Sequence, residues 1–379
     1  MHAADNRIPW RCLGEFIEEC DERNPDGNYS NVVGLNREKT FMPTVANLED
    51  VNVCKYKVLR KGRFCFNGMH VGRDINIPIG MYNYESPCLI SPAYVTFDVV
   101  NKDVLPEYLF VAISRYEMDR LGWFFCDSSV RGGLDWNRFL DIEIPVPLLA
   151  VQQKVVDVWR GLRKMKEENE ALAAPLMQLC RSYLQDCKKK WPMKEIGPMI
   201  APCDERNESG TYDVNSVRGV SIEKKIIPTK ADMTGVGLKP YKLLKHHEFC
   251  VVPVTSRNGE RISLAINAEV ETYIVSSAYD VFRVADKELL SPEYLYLIFH
   301  RPEFDRYARF NSWGSARELF SFSDMCRVKI PLPPIEVQQA VVDVYRCASE
   351  AKKIAEEADR LSREISPALV RWAAEGGTA

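Results

Sequence analysis

An internal duplication constrains this chain more than any other feature of its sequence. Residues 144–160 read IPVPLLAVQQKVVDVWR, and residues 330–346 read IPLPPIEVQQAVVDVYR. The match extends upstream without a gap, so that 22 of the 55 positions in 106–160 are identical to those in 292–346. This period is far longer than the roughly 20–50 residues of a solenoid repeat, so the repeating unit is a whole domain together with a helix.

The composition is that of an ordinary globular protein. The 379 residues are 46% hydrophobic and 27% charged, and this length predicts two or three domains. The twelve cysteines are scattered, without metal-site or redox spacing, which favours free thiols that pack in the core. No apolar run approaches the ~18 residues that span a membrane, and the charged N-terminal stretch does not resemble a signal peptide. We therefore expect a cytoplasmic protein without membrane contacts.

Each repeat is predicted to begin with a small α+β domain. Short β-branched and aromatic segments, bounded by Gly, Pro and Asn, are typical of strands and turns. The segment Cys20–Asn24 recurs unchanged as Cys203–Asn207. From Pro106 and Pro292 the pattern becomes helical, with proline at the first helical position.

A long helix follows each domain. In the first helix, apolar residues keep the alternating four-three spacing of a coiled-coil seam, with Asn169 as a polar member. The predicted seam consists of Val151, Val155, Val158, Leu162, Met165, Asn169, Leu172, Leu176, Leu179 and Tyr183. The second helix keeps the same phase with alanine in its middle. The narrow stripes favour pairing of the two helices; the alternative is that each stripe packs on its own domain.

Antiparallel pairing of the two helices gives a definite architecture. The predicted fold is α+β, with two duplicated globular domains separated by two long helices that form an antiparallel coiled coil with pseudo-twofold symmetry. The predicted boundaries are 1–145 and 191–331 for the domains, and 146–190 and 332–379 for the helices. Two readers related by a twofold axis suit two DNA half-sites on one face of a duplex.

The repeated IPxP…VQQ…VVDV segment, which opens a long helix after a PEYL helix and a variable α+β domain, resembles the specificity (S) subunit of type I restriction–modification systems. The resemblance covers essentially the whole chain, although Leu148-Leu149-Ala150 replaces the usual Pro and Glu of the first copy. It implies two target-recognition domains that read a bipartite double-stranded DNA target. It also implies two modification methyltransferase subunits docked on the helices, joined by restriction motor–nuclease subunits.

The chain shows no signature of its own chemistry. It lacks a phosphate-binding loop and a glycine-rich loop for S-adenosylmethionine. The run Asn24-Pro25-Asp26-Gly27 lacks the second proline and the aromatic of an amino-methyltransferase motif, and it predicts a turn. The five histidines have no metal-ligand spacing. We therefore predict no catalytic residue, no cofactor and no metal: a subunit that is not itself an enzyme.

Polar loops at corresponding places in the two domains are the candidate DNA contacts. Arginine pairs with guanine and asparagine with adenine, and cationic side chains grip phosphates. The base-reading candidates are Asn67, His70 and Arg73 in the first domain and Ser256, Arg257, Asn258 and Arg261 in the second. The candidates for phosphate contacts are Ser128, Arg131, Ser315, Arg317, Lys39, Lys224 and Lys225.

Two other interpretations stay open at this point. The chain could be a structural or adaptor protein whose two-headed rod serves protein assembly alone, or the recognition half of a single-chain enzyme. The net charge of −3 restricts phosphate binding to local basic patches. Co-purification with a methyltransferase would separate DNA recognition from the adaptor interpretation.

Overall fold

Short strands rich in valine, isoleucine and phenylalanine build the core of each duplicated domain. The structure is a computed structural model that describes residues 8–49, 51–69, 71–127, 132–255, 259–314 and 317–377. The chain divides into two units, Met1–Asn169 with Lys353–Ala379, and Glu170–Lys352. Each unit therefore combines one domain with part of both long helices.

The first domain contains two four-stranded sheets, in the orders β2-β9-β6-β7 and β4-β3-β8-β5, and a separate β1-β10 pair. Its strands are β1 (Trp10–Cys12), β2 (Ile17–Glu19), β3 (Val32–Leu35), β4 (Phe41–Pro43), β5 (Lys57–Leu59), β6 (Phe64–Phe66), β7 (Ile79–Met81), β8 (Cys88–Ile90), β9 (Val95–Val99) and β10 (Glu143–Pro145). Its helices are α1 (Val71–Asp74), α2 (Pro106–Ile113), α3 (Tyr116–Phe124) and α4 (Trp136–Leu140), and the first long helix, α5 (Leu149–Lys190), follows.

The second domain repeats this order, with a four-stranded sheet β12-β19-β16-β17 and the pairs β11-β20, β13-β14 and β15-β18. Its strands are β11 (Met193–Glu195), β12 (Ile200–Cys203), β13 (Arg218–Val220), β14 (Ile226–Pro228), β15 (Lys242–Leu244), β16 (Glu248–Val251), β17 (Leu264–Ile266), β18 (Tyr273–Val275), β19 (Asp280–Val284) and β20 (Lys329–Pro331). Its helices are α6 (Pro292–Phe299), α7 (Pro302–Phe310) and α8 (Phe322–Cys326), and the second long helix, α9 (Ile335–Ala374), follows.

The same pair of stacked phenylalanines lies at the centre of each domain. Phe64 and Phe97 lie opposite each other on β6 and β9, with ring centroids 5.0 Å apart. Phe249 and Phe282 occupy the same places on β16 and β19, also 5.0 Å apart. All four side chains are fully buried, so the duplicated strands form equivalent cores.

The two long helices pack against each other in antiparallel directions, as predicted. In the first unit, the beginning of α5 shares a core with the end of α9, where Val155 and Val370 belong to one buried cluster. In the second unit, the end of α5 packs on the beginning of α9, where Cys180 and Val341 are both buried. Among the residues that the structure describes, no helix is both long and apolar enough to cross a lipid bilayer.

The phase of the predicted seam on α5 is partly wrong. Val158, Met165, Leu172 and Leu179 are 40–53% exposed. The positions one residue later, which include Lys166 and Cys180, are covered instead. Lys166 donates to Asp359 of α9 at 2.7 Å and so fills the seam with its aliphatic stem. Heptad spacing alone does not distinguish these two neighbouring rows, because a long cationic side chain can pack as an apolar one.

Candidate nucleic-acid interface

The repeated Asn24 and Asn207 organise a turn at the start of each domain. The Asn24 amide nitrogen donates to the Tyr29 carbonyl oxygen at 2.9 Å, and its oxygen accepts from the Tyr29 backbone nitrogen at 3.2 Å. Asn207 makes the same two hydrogen bonds to Tyr212, at 2.8 and 3.1 Å. Both side chains are buried, so the turn interpretation is confirmed and the motif does not line an open site.

In the first domain, the two predicted DNA-contacting loops lie side by side. The Gly72 backbone nitrogen donates to the Gly132 carbonyl oxygen at 2.7 Å, and the Leu134 nitrogen donates to the Gly68 carbonyl oxygen at 2.9 Å. A Cβ atom at Gly68 would lie 1.8 Å from the Leu134 carbonyl oxygen, so this close approach requires glycine. The described parts of the loop after β6 and of the loop after α3 are therefore in direct contact.

The second domain joins its corresponding loops in a different way. Val254 and Leu319 form an isolated antiparallel bridge. The Thr255 backbone nitrogen donates to the Glu318 carbonyl oxygen, and the Phe320 nitrogen donates to the Pro253 carbonyl oxygen, each at 2.9 Å. The loop after β16 and the loop after α7 are thus brought together without the glycine contact of the first domain.

The described candidate residues on these loops differ in their surroundings. Asn67 is half-buried and accepts a hydrogen bond from the Met69 backbone nitrogen at 3.0 Å. Arg73 is exposed, and its guanidinium group pairs with the neighbouring Asp74. Arg261, Arg317 and Lys225 are also exposed. The remaining candidates lie outside the described residues: His70, Ser128, Arg131, Ser256, Arg257, Asn258 and Ser315.

Lys39 and Lys224 require a correction, because both predicted phosphate contacts are buried. The Lys39 ammonium group lies 2.7 Å from an Asp119 carboxylate oxygen and also donates to the Ser114 carbonyl oxygen at 2.9 Å. Lys224 forms the same ion pair with Asp305. Burial lowers the pKa of Lys39, and the Asp119 charge opposes that shift. Neither ammonium group reaches solvent sufficiently to bind a phosphate.

These two ion pairs instead position the candidate loops. An Asp119 carboxylate oxygen accepts a hydrogen bond from the Ile77 backbone nitrogen at 2.8 Å, just after the loop that contains Arg73. Asp305 accepts from the Ile262 backbone nitrogen at 3.1 Å, next to Arg261. Both lysines have positive φ, 61°, at a hairpin turn. Each pair therefore links a hairpin, a helix and the end of a loop.

A second repeated network, not assigned from the sequence, fixes the start of each long helix. The buried Gln152 side chain donates to the Asp103 and Pro147 carbonyl oxygens and accepts from the Leu105 backbone nitrogen, each at 2.8 Å. Gln338 makes the equivalent three hydrogen bonds at 2.9–3.0 Å. This network explains why α5 begins at Leu149, the position equivalent to Ile335, despite the unusual residues there.

The tyrosine of each PEYL segment completes the connection between domain and helix. The Tyr108 hydroxyl group donates to the Pro145 carbonyl oxygen at 2.9 Å, and the Tyr294 hydroxyl group donates to the Pro331 carbonyl oxygen at 3.1 Å. In both networks the polar side chains are the same residues in the two copies, and they lie among apolar residues. This repetition is the sequence signal from which they could have been found.

Within the described part of the chain, no three His, Cys, Asp or Glu side chains are grouped as a metal site requires.

Comparisons with known proteins bear on both the second domain and the whole chain. Residues 221–345 match the model of the type I restriction modification DNA specificity domain. A search of curated proteins gave no match. The crystal structure of a type I restriction–modification S subunit from M. genitalium is similar in fold, with a TM-score of 0.64 at 10% identity, over 98% of this chain and 97% of that one. An HsdS subunit from Thermoanaerobacter tengcongensis aligns over 99% of this chain and 98% of its own, at 15% identity and a TM-score of 0.39.

The matched model describes DNA specificity and names no catalytic activity. Residues 221–345 are thus similar to a type I restriction modification DNA specificity domain, and the whole chain shares its fold with an S subunit, in agreement with the resemblance found in the sequence.

Proposed function

We propose that each duplicated domain reads one half of a bipartite double-stranded DNA target, with domains at 1–145 and 191–331 and spacer helices at 146–190 and 332–379. One observation carries the proposal. In both domains, two loops distant in sequence are joined by backbone hydrogen bonds at the same place on an equivalent framework, whereas the loops themselves differ. An equivalent framework with different loops suits the reading of two different half-sites.

The proposed contacts divide between bases and phosphates. Base edges are read by Asn67, Arg73 and Arg261, together with His70, Ser256, Arg257 and Asn258 from outside the described residues. Phosphates are held by Lys225 and Arg317, together with Ser128, Arg131 and Ser315. Lys39 and Lys224 are excluded from the proposal, because their ammonium groups are buried in ion pairs.

We propose that two modification methyltransferase subunits dock on the long helices, and that restriction motor–nuclease subunits join the resulting assembly. The exposed apolar row on α5 supports this docking, since Val158, Met165, Leu172 and Leu179 recur every seven residues. A row of this kind is typical of a helix that packs against further helices. Because its target is DNA, we place the assembly in the cytoplasm.

The test is co-expression of the chain with a modification methyltransferase subunit from the same organism, followed by methylome sequencing of the host. The proposal predicts a methylated bipartite motif that requires both proteins. If the chain bound the methyltransferase but methylation did not depend on it, the adaptor interpretation would replace DNA recognition.

A further inference from the structure

A second side-chain pair recurs beside the candidate loops of both domains. The helices α3 and α7 end in Phe124 and Phe310, whose side chains are 77% and 78% exposed. Four residues earlier, each helix has an exposed arginine, Arg120 or Arg306. The three residues between arginine and phenylalanine differ in the two copies, being Leu-Gly-Trp and Tyr-Ala-Arg. The exposed faces of the two helices therefore share this arginine–phenylalanine pair.

Arginine and phenylalanine lie next to each other on one face, because residues i and i+4 of a helix are neighbours. The opposite face of each helix is buried, through Met118 and Gly122 on α3 and through Phe304 and Ala308 on α7. The neighbouring Arg309 of α7, in contrast, forms an ion pair with Glu318. No ion pair between described residues involves Arg120 or Arg306. Each domain thus presents an unneutralised guanidinium group beside an exposed ring.

The position of the pair indicates its ligand. After Phe124, the chain runs directly into the first joined loop, where the Asp127 backbone nitrogen donates to the Gly133 carbonyl oxygen at 2.9 Å. After Phe310, it reaches Trp313, which exchanges two backbone hydrogen bonds with Leu319 of the second joined loop. A duplex held against these loops would therefore pass close to both rings.

We propose that Arg120 with Phe124, and Arg306 with Phe310, are anchors for the DNA duplex, an inference that rests on the proposed function. The guanidinium group binds a phosphate, and the ring packs against the adjacent sugar and base. Phosphate contacts fix the position of a protein on DNA without reading sequence, and exposed apolar side chains wedge against base steps. Because the pair is identical in both domains while the loops differ, it provides affinity common to both half-sites and does not select bases.

The test uses the complex of the full chain with its methyltransferase, and duplexes with and without the motif found by methylome sequencing. Phe124→Ala and Phe310→Ala should each weaken binding to both duplexes about tenfold, as loss of one aromatic–base contact would. Arg120→Ala should reduce the salt dependence of the binding constant by about one phosphate contact. The methylated motif should stay unchanged.

Tyr116→Ala is the matched control, since Tyr116 is an exposed aromatic at the opposite end of α3. It should leave DNA affinity unchanged. If the wild-type complex failed to bind the motif, the proposed function would fail. If the wild type bound but Phe124→Ala and Phe310→Ala had no effect, or if they altered the methylated motif, the anchor would be wrong. Loss of methyltransferase assembly in these variants would overturn it in favour of a protein contact.

Discussion

The two duplicated domains keep the same internal hydrogen bonds and ion pairs, and they differ in the loops that they expose. Both contain a buried Lys–Asp pair, a buried glutamine at the helix start and a tyrosine bound to a proline carbonyl oxygen. The first domain holds its loops together through a glycine contact and contains the short helix α1. The second uses the bridge between Val254 and Leu319. Residues that are the same in both domains position the loops, whereas the residues that differ lie on the loops themselves.

A reversed charge pair shows how much the shared framework tolerates. In the first domain, Arg63, immediately before β6, and Asp98 on β9 pair at 3.1 Å. In the second, Glu248 and Arg283 lie in register at the equivalent places, with the signs exchanged. Opposite charges across a strand pair are acceptable in either order. The Lys–Asp pairs keep their order, because the carboxylate must also accept the backbone hydrogen bond that ends the loop.

The largest expected effect comes from breaking these Lys–Asp pairs. Asp119→Ala leaves the Lys39 charge buried without its partner, and Asp305→Ala does the same to Lys224. Each should reduce the free energy of unfolding by about 3–5 kcal/mol. Hydrogen exchange should show the loss in the first domain for Asp119→Ala and in the second for Asp305→Ala.

A double variant provides the control for this prediction. Lys39→Met with Asp119→Leu removes both charges and should recover part of the lost stability. Equal destabilisation of both domains by Asp119→Ala would show that the two frameworks do not act separately.

Glutamines at the helix starts should have a smaller effect. Gln152→Ala leaves the Leu105 backbone nitrogen without its acceptor, and Gln338→Ala does the same to Ser291. We expect a loss of about 1–3 kcal/mol for each, measured by urea denaturation. Gln153→Ala is the matched control, because the Gln153 side chain donates a hydrogen bond to Asp157 on the same helix and not to the domain core. A control loss as large as that of Gln152→Ala would contradict the assigned role.

Repetition and periodicity in the sequence predict the architecture of this protein better than the surroundings of single side chains. The duplication predicted the two domains and the antiparallel helices, because hydrophobic pattern largely determines those features. Repetition could not tell that Lys39 and Lys224 point inward, since a buried ion pair and a phosphate contact both use lysine. Periodicity has the same limit for the row Val158, Met165, Leu172 and Leu179. An apolar residue at heptad spacing can pack between the two helices, or it can be exposed on the surface of the helix pair.

The smallest expected effect is a pH dependence of the stability of the second domain, and it arises from a difference in histidine content between the domains. His300 is packed where the first domain has Ser114, and burial lowers the pKa of His300. The unfolded chain, with a histidine pKa of about 6.5, then binds more protons than the folded chain. Stability is therefore complete above that pH and falls as the pH drops below it.

The variant His300→Ser should reduce this dependence, measured as the change in Tm of the full chain between pH 7.5 and pH 5.5 (about two units, across the histidine pKa). His247, whose pKa is also lowered by burial, should contribute to the remaining dependence. An unchanged pH dependence in His300→Ser would show that this histidine is not responsible.

Independent reading by the two domains is the central claim, and methylome sequencing of two loop variants tests it most directly. Arg73→Ala should relax the sequence of one half-site, and Arg261→Ala that of the other, each by the ~1–3 kcal/mol of a base-specific arginine contact. In each variant the other half-site and the spacer should remain as in the wild type. A change in both half-sites from either substitution would contradict the account.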